Sequence, residues 1–215
     1  MKILQPKYLV VSIVLLFFAC ESKGQQALEA CGEIKTLTID AEYAQMARLP
    51  EIYFELEYPA EMEFTPAVEG QKNYNYATFV SHDEAGNRKE MISIGYYTME
   101  GTDEATMDAL NEDLLSQFRQ MYVANFELSN EFLGKKEFDG KEYPMFQTIG
   151  KINRPEAEFV GSYHVQAMLI RPNPESKVGV VFIFQSNETS AITSFEDIGN
   201  KGCSSIIWNS LKFND

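Results

Sequence analysis

The sequence predicts an α+β fold in which helices pack on an antiparallel β-sheet, an αβα sandwich. Several short segments alternate apolar and polar residues with a period of two, which is typical of half-buried strands. One central segment instead repeats its apolar residues at spacings of three and four, as an amphipathic helix does. Turn residues separate consecutive strands, so neighbours can pair as hairpins. The order strands, helix, strands, helix indicates stacked layers.

The first strands are predicted at residues 34–39 and 52–58. The second shows the clearest alternation of this half, because Glu55 and Glu57 separate apolar residues, and Pro59 closes it. Residues 74–82 and 91–98 flank an acidic, glycine-containing turn at 83–87. The sequence therefore predicts a β-hairpin here.

The central helix is predicted to begin after Gly101, with Thr102 or Asp103 as its N-cap. Acidic residues in the first turn suit the positive end of the helix dipole. One apolar stripe, expected to be buried against the sheet, comprises Met107, Leu110, Leu114, Phe118 and Met121.

Four more strands are predicted after the helix, at 132–138, 143–152, 159–170 and 178–185. The third alternates through its middle, with Ser162, His164 and Gln166 on one side. That side is expected to face water or to line something polar. A helical region broken by Gly199 and Gly202 then leads to the last segment, 210–213.

Composition limits the function. The chain has 215 residues with 32 acidic and 18 basic side chains, a net charge of −14. Nucleic-acid binding is disfavoured, because phosphate neutralisation needs a basic surface. The sequence has no nucleophile elbow, no Cys-His pair and no glycine-rich phosphate loop. We therefore predict no catalytic residue, no metal and no cofactor.

The first 19 residues read as a signal peptide. Lys2 and Lys7 precede an apolar run at 8–19 that ends directly at Cys20. The run spans about 18 Å as a helix, too short for the ~30 Å hydrocarbon core. Residues 17–20, Phe-Phe-Ala-Cys, resemble the lipobox of bacterial lipoproteins, although Phe17 replaces the usual leucine. The resemblance implies that Cys20 is acylated; an ordinary signal peptide is the alternative.

Three segments follow from this assignment: a signal peptide at 1–19, a lipidated cysteine with a flexible tether at 20–32, and one α+β domain at 33–215. Cleavage leaves 16 basic against 32 acidic residues, a net charge of −16. Such a surface repels anionic headgroups, so the acyl chains are expected to hold the protein at the membrane. The predicted location is the bacterial cell envelope.

Cys31 and Cys203 remain after cleavage of the leader. An even cysteine count in an oxidising compartment favours a disulfide, which would join the start of the domain to the last helix. The alternative is two unrelated thiols, with Cys203 buried on a helix. Sequence does not supply the Cα separation that decides between them.

A few residues are candidates for binding. Tyr74, Tyr76 and His82 are predicted on one side of a strand, with Tyr96 and Tyr97 on the next; they form either a contact patch or ordinary cross-strand packing. His164, with Ser162 and Gln166, could face a ligand or be part of a routine half-exposed sheet. His82 beside two acids is far from the three or four ligands of a zinc site.

The chain resembles the PsbP-like fold, which is shared by an extrinsic subunit of the photosynthetic oxygen-evolving complex and by a nuclear-import factor that binds the GTPase Ran. The landmarks are the strand ending in Tyr58-Pro59, the hairpin, the central helix, Gly140-Lys-Glu-Tyr-Pro144, the strands within 159–185 and the segment 206–213. The resemblance implies a scaffold for binding and supplies no catalytic residue.

These observations predict a lipid-anchored accessory or binding protein of the envelope that engages another envelope protein or a small ligand. The alternative is a small envelope hydrolase whose acids and His164 converge in a cleft. A third reading is a structural lipoprotein without a ligand.

Overall fold

The computed structural model describes residues 31–99, 104–123, 126–152 and 161–214. The signal peptide, Cys20, the tether up to residue 30 and the helix N-cap at Thr102 or Asp103 lie outside these ranges. None of the helices within them is long and apolar enough to cross a membrane.

Ten strands and three α-helices make up the described chain. The helices are α1 (Ala41–Ala47), α2 (Glu104–Val123) and α3 (Ser204–Ser210), and a 3₁₀ turn spans Phe195–Asp197. The strands are β1 (Ile34–Ile39), β2 (Tyr53–Pro59), β3 (Glu63–Pro66), β4 (Asn75–His82), β5 (Arg88–Thr98), β6 (Phe126–Phe138), β7 (Lys141–Ile152), β8 (Ser162–Ile170), β9 (Val178–Asn187) and β10 (Lys212–Asn214).

The strands form two antiparallel sheets. The large sheet has seven strands in the order β3-β4-β5-β9-β8-β7-β6, and the small sheet has the order β1-β2-β10. The predicted α+β class with an antiparallel sheet is confirmed. The chain also contains α1, β3 and β10, which the sequence analysis did not predict; each is short, so its pattern carries little signal.

Each face of the large sheet has its own core. Helix α2 covers one face, where Leu115 and Tyr122 pack against Phe146, Tyr163 and Val165. The small sheet, α1 and α3 cover the other face through a larger cluster that includes Phe54, Leu56, Phe79, Phe182, Phe184 and Ile207. The domain is therefore built from layers around a doubly covered sheet.

A buried carboxylate fixes the last helix to the sheet. Glu90 on β5 is 2% exposed; its Oε1 accepts from the Ser190 hydroxyl at 2.6 Å and its Oε2 from the Ser204 backbone N–H at 3.1 Å. A disulfide joins Cys31 to Cys203, the residue before α3, with a Cα–Cα distance of 5.5 Å. The Glu90 contacts hold the C-terminal segment on the large sheet, and the disulfide ties it to the start of the described chain.

Candidate functional site

A cleft lies between α2 and the β4-β5-β9 part of the large sheet. Its volume is about 680 Å³, within the range of pockets that hold small ligands. The cleft forms because α2 contacts chiefly β6, β7 and β8, and no other described helix packs on the β4-β5-β9 part of this sheet face. Its described lining consists of Tyr74, Asn75, Thr78, Met91, Ser93, Gly95, Tyr96, Phe118, Met121, Tyr122, Phe126, Val181, Ile183 and Gln185. We call it the α2 cleft.

None of the described residues that line the α2 cleft is charged. This is unusual in a chain where 23% of residues are Asp, Glu, Lys or Arg. Its walls carry phenyl, thioether and branched aliphatic groups, and Met121 and Tyr74 at the rim are each 63% exposed. Such a lining favours an apolar, uncharged occupant, because an ion would be desolvated there without a partner.

The cleft also holds a buried polar pair. The Gln185 side-chain amide donates to the Tyr122 phenol oxygen at 2.7 Å. Gln185 is 7% exposed, and its Oε1 has no hydrogen-bond partner in the described part of the chain. Burial raises the pKa of Tyr122 to about 12, so its hydroxyl stays neutral and keeps its proton. A second polar pair, Thr78 Oγ1 and Ser93 Oγ, lies 3.2 Å apart.

The two tyrosines predicted on one side of a strand point to opposite faces. Tyr74 precedes β4, is exposed and lines the α2 cleft. Tyr76 is fully buried in the other core, where its hydroxyl donates to the Pro50 carbonyl at 2.9 Å. The prediction of a shared surface is wrong for Tyr76, because a bulge between Asn75 and Ala77 adds one residue and reverses the alternation.

Glycine allows this bulge to close. A Cβ on Gly95, which pairs with Asn75, would lie 2.7 Å from Asn75 Oδ1 and 2.9 Å from the Tyr74 carbonyl oxygen. The missing side chain therefore lets β4 approach β5 at the edge of the cleft.

The polar side of β8 was predicted to face water or to line something polar, and at Gln166 it is covered and lines a polar cluster. Gln166 is fully buried; its Oε1 accepts from the Gln147 amide at 2.9 Å and from Lys136 Nζ at 3.3 Å. Lys136 also donates to the Ile198 carbonyl and lies over the Trp208 ring. Burial lowers the Lys136 pKa, against a smaller opposite effect of Glu196. Gln166 therefore belongs to an internal polar cluster under the C-terminal segment.

Ser162 and His164 are half-buried on the same side of β8. The His164 ring contacts the Phe195 ring edge-on at 5.2 Å between centroids. Burial lowers the His164 pKa, while Asp197 and Glu196 act in the opposite direction. His164 lines neither the α2 cleft nor the second cleft described below. The arrangement that the hydrolase alternative requires, acids and His164 around one cleft, is therefore not found at these two clefts.

His82 is exposed at the end of β4. The neighbouring Asp83 carboxylate caps the turn by accepting from the backbone N–H groups of Ala85 at 3.0 Å and Asn87 at 2.8 Å. Within the ranges that the structure describes, no three His, Cys, Asp or Glu side chains come together as a metal-binding group.

A second cleft of about 620 Å³ lies between the β6-β7 turn, the β8-β9 loop and the edge of the small sheet. Its lining includes the charged residues Glu51, Asp139 and Lys141 beside Tyr143 and Phe213. The cleft is open and partly polar. It lacks the buried, unpartnered polar group that the α2 cleft has in its described lining.

Sequence reasoning did not find the α2 cleft. Its residues come from five separate elements, β4, β5, α2, β6 and β9, and only Tyr74 and Tyr96 among them were singled out as surface candidates. Met121 was predicted to be buried with the helix stripe and is instead exposed at the cleft mouth. Thr78, Ser93 and Gly95 are small or polar residues that line one face of the sheet, and this composition is a sequence signal for a cleft. The position of α2 is needed to interpret that signal.

No protein-family model matches the sequence, and no curated protein sequence matches it. The fold comparison is informative: the domain has a PsbP-like fold. It is similar to the solution structure of the cyanobacterial PsbP protein, CyanoP, from Synechocystis, with 12% identity, a TM-score of 0.51, and coverage of 85% of this chain and 94% of that one. A crystal structure of LpqN, involved in cell envelope biogenesis of Mycobacterium tuberculosis, matches with 10% identity, a TM-score of 0.47, and coverage of 90% and 97%.

Proposed function

We propose that this chain is a lipid-anchored accessory protein of the bacterial cell envelope that binds a small ligand in the α2 cleft and carries out no catalysis. The apolar run that ends at Cys20 supports the anchor and the location. A PsbP-like fold is compatible with this role but does not assign it, since one fold serves many functions.

The uncharged cleft is the observation that carries the binding role. An exposed concave surface with aromatic and aliphatic walls is costly to leave in water, and proteins keep such surfaces mainly for ligands or partners. The chain as a whole is strongly acidic, so a cleft whose described lining has no charged residue differs clearly from the rest of the protein. The cleft lies between one helix and a sheet, and its volume of about 680 Å³ is that of a small-molecule pocket, which favours a small molecule over a protein partner.

The test uses the full-length protein and N-phenyl-1-naphthylamine, an uncharged apolar probe whose fluorescence rises on binding. Met121→Glu places a carboxylate at the cleft mouth and is expected to weaken probe binding about tenfold, equivalent to ~1.4 kcal/mol. Gln120→Glu is the matched control: it adds the same charge at an adjacent exposed position of α2 that does not line the cleft.

Equal probe affinity in both variants and in the wild type would overturn the assignment of the cleft. Thermal unfolding of the two variants checks that the helix is intact. If a co-purified protein blocks probe binding and Met121→Glu does not lower probe affinity, the binding role likewise lies outside the α2 cleft.

A further inference from the structure

Tyr122 and Gln185 form the buried polar pair of the α2 cleft, and their remaining donor and acceptor groups determine which ligand head group fits. Gln185 Nε2 donates to the Tyr122 oxygen, so the Tyr122 proton and Gln185 Oε1 remain for a ligand. The first can donate a hydrogen bond and the second can accept one. Turning the Gln185 amide over makes Tyr122 the donor to Oε1 and leaves the amide N–H groups and the phenol lone pairs, so the pair again offers both donor and acceptor.

A hydroxyl group satisfies this pair completely, because it donates and accepts at the same oxygen. A carbonyl could use only the donor. A carboxylate or an ammonium ion would lose its hydration at Tyr122 and Gln185, which carry no charge. The described cations that touch the lining, Lys72 over the Tyr74 ring and Arg88 at Met91, contact other lining residues. The selectivity of the pair is therefore for a neutral alcohol.

The rest of the cleft specifies the body of the ligand. Phe118, Met121, Val181 and Ile183 line its walls, and Tyr74 and Met121 stand at its rim. The space between a helix and a sheet suits a chain or a slender ring system more than a compact polar molecule such as a sugar.

We infer that the α2 cleft binds a single-chain neutral lipid with a free hydroxyl, the hydroxyl meeting Tyr122 and Gln185 and the chain running along α2 toward Met121. This inference rests on the proposed binding role of the cleft and adds the chemistry of its ligand. It makes Tyr122 and Gln185 the residues that select the head group.

The experiment compares three amphiphiles with the same ten-carbon chain: decan-1-ol, decanoate and decylammonium, each below its aggregation concentration. Each competes with N-phenyl-1-naphthylamine for the full-length protein at pH 7.5. Decan-1-ol is expected to compete at least about tenfold better than either ion, because the ions lose their hydration without gaining a partner. Of the two ions, decylammonium is the more demanding competitor for decan-1-ol, because the net charge of −14 attracts cations non-specifically.

Tyr122→Phe removes the phenol donor and keeps the ring. It is expected to weaken decan-1-ol about five- to tenfold, the loss typical of one hydrogen bond. The ratio of decan-1-ol affinity to probe affinity is the measurement, because a general loss of the cleft would lower both, and thermal unfolding of the variant checks that α2 is intact.

The outcomes separate the two proposals. If the probe binds with the expected sensitivity to Met121→Glu but the three amphiphiles compete equally, or Tyr122→Phe leaves decan-1-ol unaffected, the cleft is a binding site and the alcohol assignment is wrong. If Met121→Glu leaves the probe affinity unchanged, the proposed function itself is wrong.

Discussion

Tyr74 and Tyr76 are two residues apart, and an undisturbed strand would point them the same way. The bulge between Asn75 and Ala77 gives them opposite environments: Tyr74 is 63% exposed and Tyr76 is not exposed at all. Tyr76 packs edge-on against Phe54, with 5.4 Å between ring centroids. One inserted residue therefore separates a cleft residue from a core residue.

Tyr76→Ala is expected to lower the free energy of unfolding by about 3–5 kcal/mol, because it opens a cavity in the main core and removes the bond to Pro50. Tyr74→Ala is the matched variant and should change stability by less than about 0.5 kcal/mol. Urea denaturation of both proteins measures the difference. Equal midpoints for the two variants would show that the bulge is not where the structure places it.

Asp197 gives the domain an acid-sensitive contact. Its carboxylate is paired with Lys201 Nζ at 2.8 Å and accepts from the Thr193 backbone N–H and hydroxyl, both at 3.0 Å. The Lys201 contact first and then the Thr193 bonds lower its pKa from 3.8 to about 2. A carboxylate with a lowered pKa stabilises the folded state above its unfolded pKa, and that contribution is lost as the pH falls through the folded pKa.

Asp197→Asn should therefore flatten the fall in stability between pH 4 and pH 2 relative to the wild type. Lys201→Met should remove part of the same pH dependence, since Lys201 is the main cause of the shift. The urea midpoint followed across this pH range is the measurement. A wild-type slope retained in Asp197→Asn would assign the acid sensitivity to other groups.

At the scale of elements, the orientation of α2 creates the cleft. Leu115 and Tyr122 are the buried residues of its described C-terminal part, with Phe118 partly buried between them. Arg119 forms an ion pair with Glu131 on β6, which holds the helix toward that edge of the sheet. In the part of the chain that the structure describes, no helix packs on the sheet face over β4 and β5, and Met121 lies exposed at the opening of the cleft.

The disulfide connects the first described residue to the start of α3, across a sequence separation of 172 residues. Closing so long a loop is expected to contribute about 5 kcal/mol by chain-entropy arithmetic. Cys31→Ser should therefore lower the urea midpoint strongly, and Cys203→Ser should do so by a similar amount. The double variant should be no less stable than either single one.

Peptide mapping under non-reducing conditions checks the bond directly: a fragment containing both cysteines should appear and should vanish on reduction. Free thiols at both positions in protein purified from the envelope would contradict the structure at this point.

At the scale of the whole molecule, we expect separate parts of the chain to attach it to the membrane and to bind the ligand: the acylated N-terminus and the folded domain. The mature chain would carry a charge of −16, so its surface has little attraction for anionic membranes. The acyl chains expected on Cys20 supply the affinity, since several chains together anchor durably. The tether would then let the domain face its ligand from the membrane surface.

Cys20→Ser is expected to move the protein out of the membrane fraction or to leave its leader uncleaved, because no thiol remains to be acylated. Cys31→Ser is the matched control and should stay membrane-bound. Membrane fractionation measures where each variant is located, and mass spectrometry of the intact protein shows whether the leader is cleaved. A wild-type chain that is water-soluble with an unmodified Cys20 would refute the lipoprotein assignment.

Much of the fold was predictable because its signals are local. The alternation in β2 and the spacing of the α2 residues depend on neighbours a few positions apart, and they predicted those elements within a few residues. The short elements α1, β3 and β10 were missed, since three to seven residues give too few periods to read. The C-terminal strand β10 exists because it pairs with β2, a partner far away in sequence.

The sequence by itself determined the net acidic charge, the α+β class and the lack of a recognisable catalytic motif, and it predicts the leader that ends at Cys20. Only the tertiary structure decided that Gln166 is buried, that Tyr76 faces the core, and that α2 leaves an uncharged cleft beside Gln185. The reason is physical: periodicity tells which side of an element is apolar, whereas the chain segment that covers each side is chosen by packing between residues that are distant in sequence.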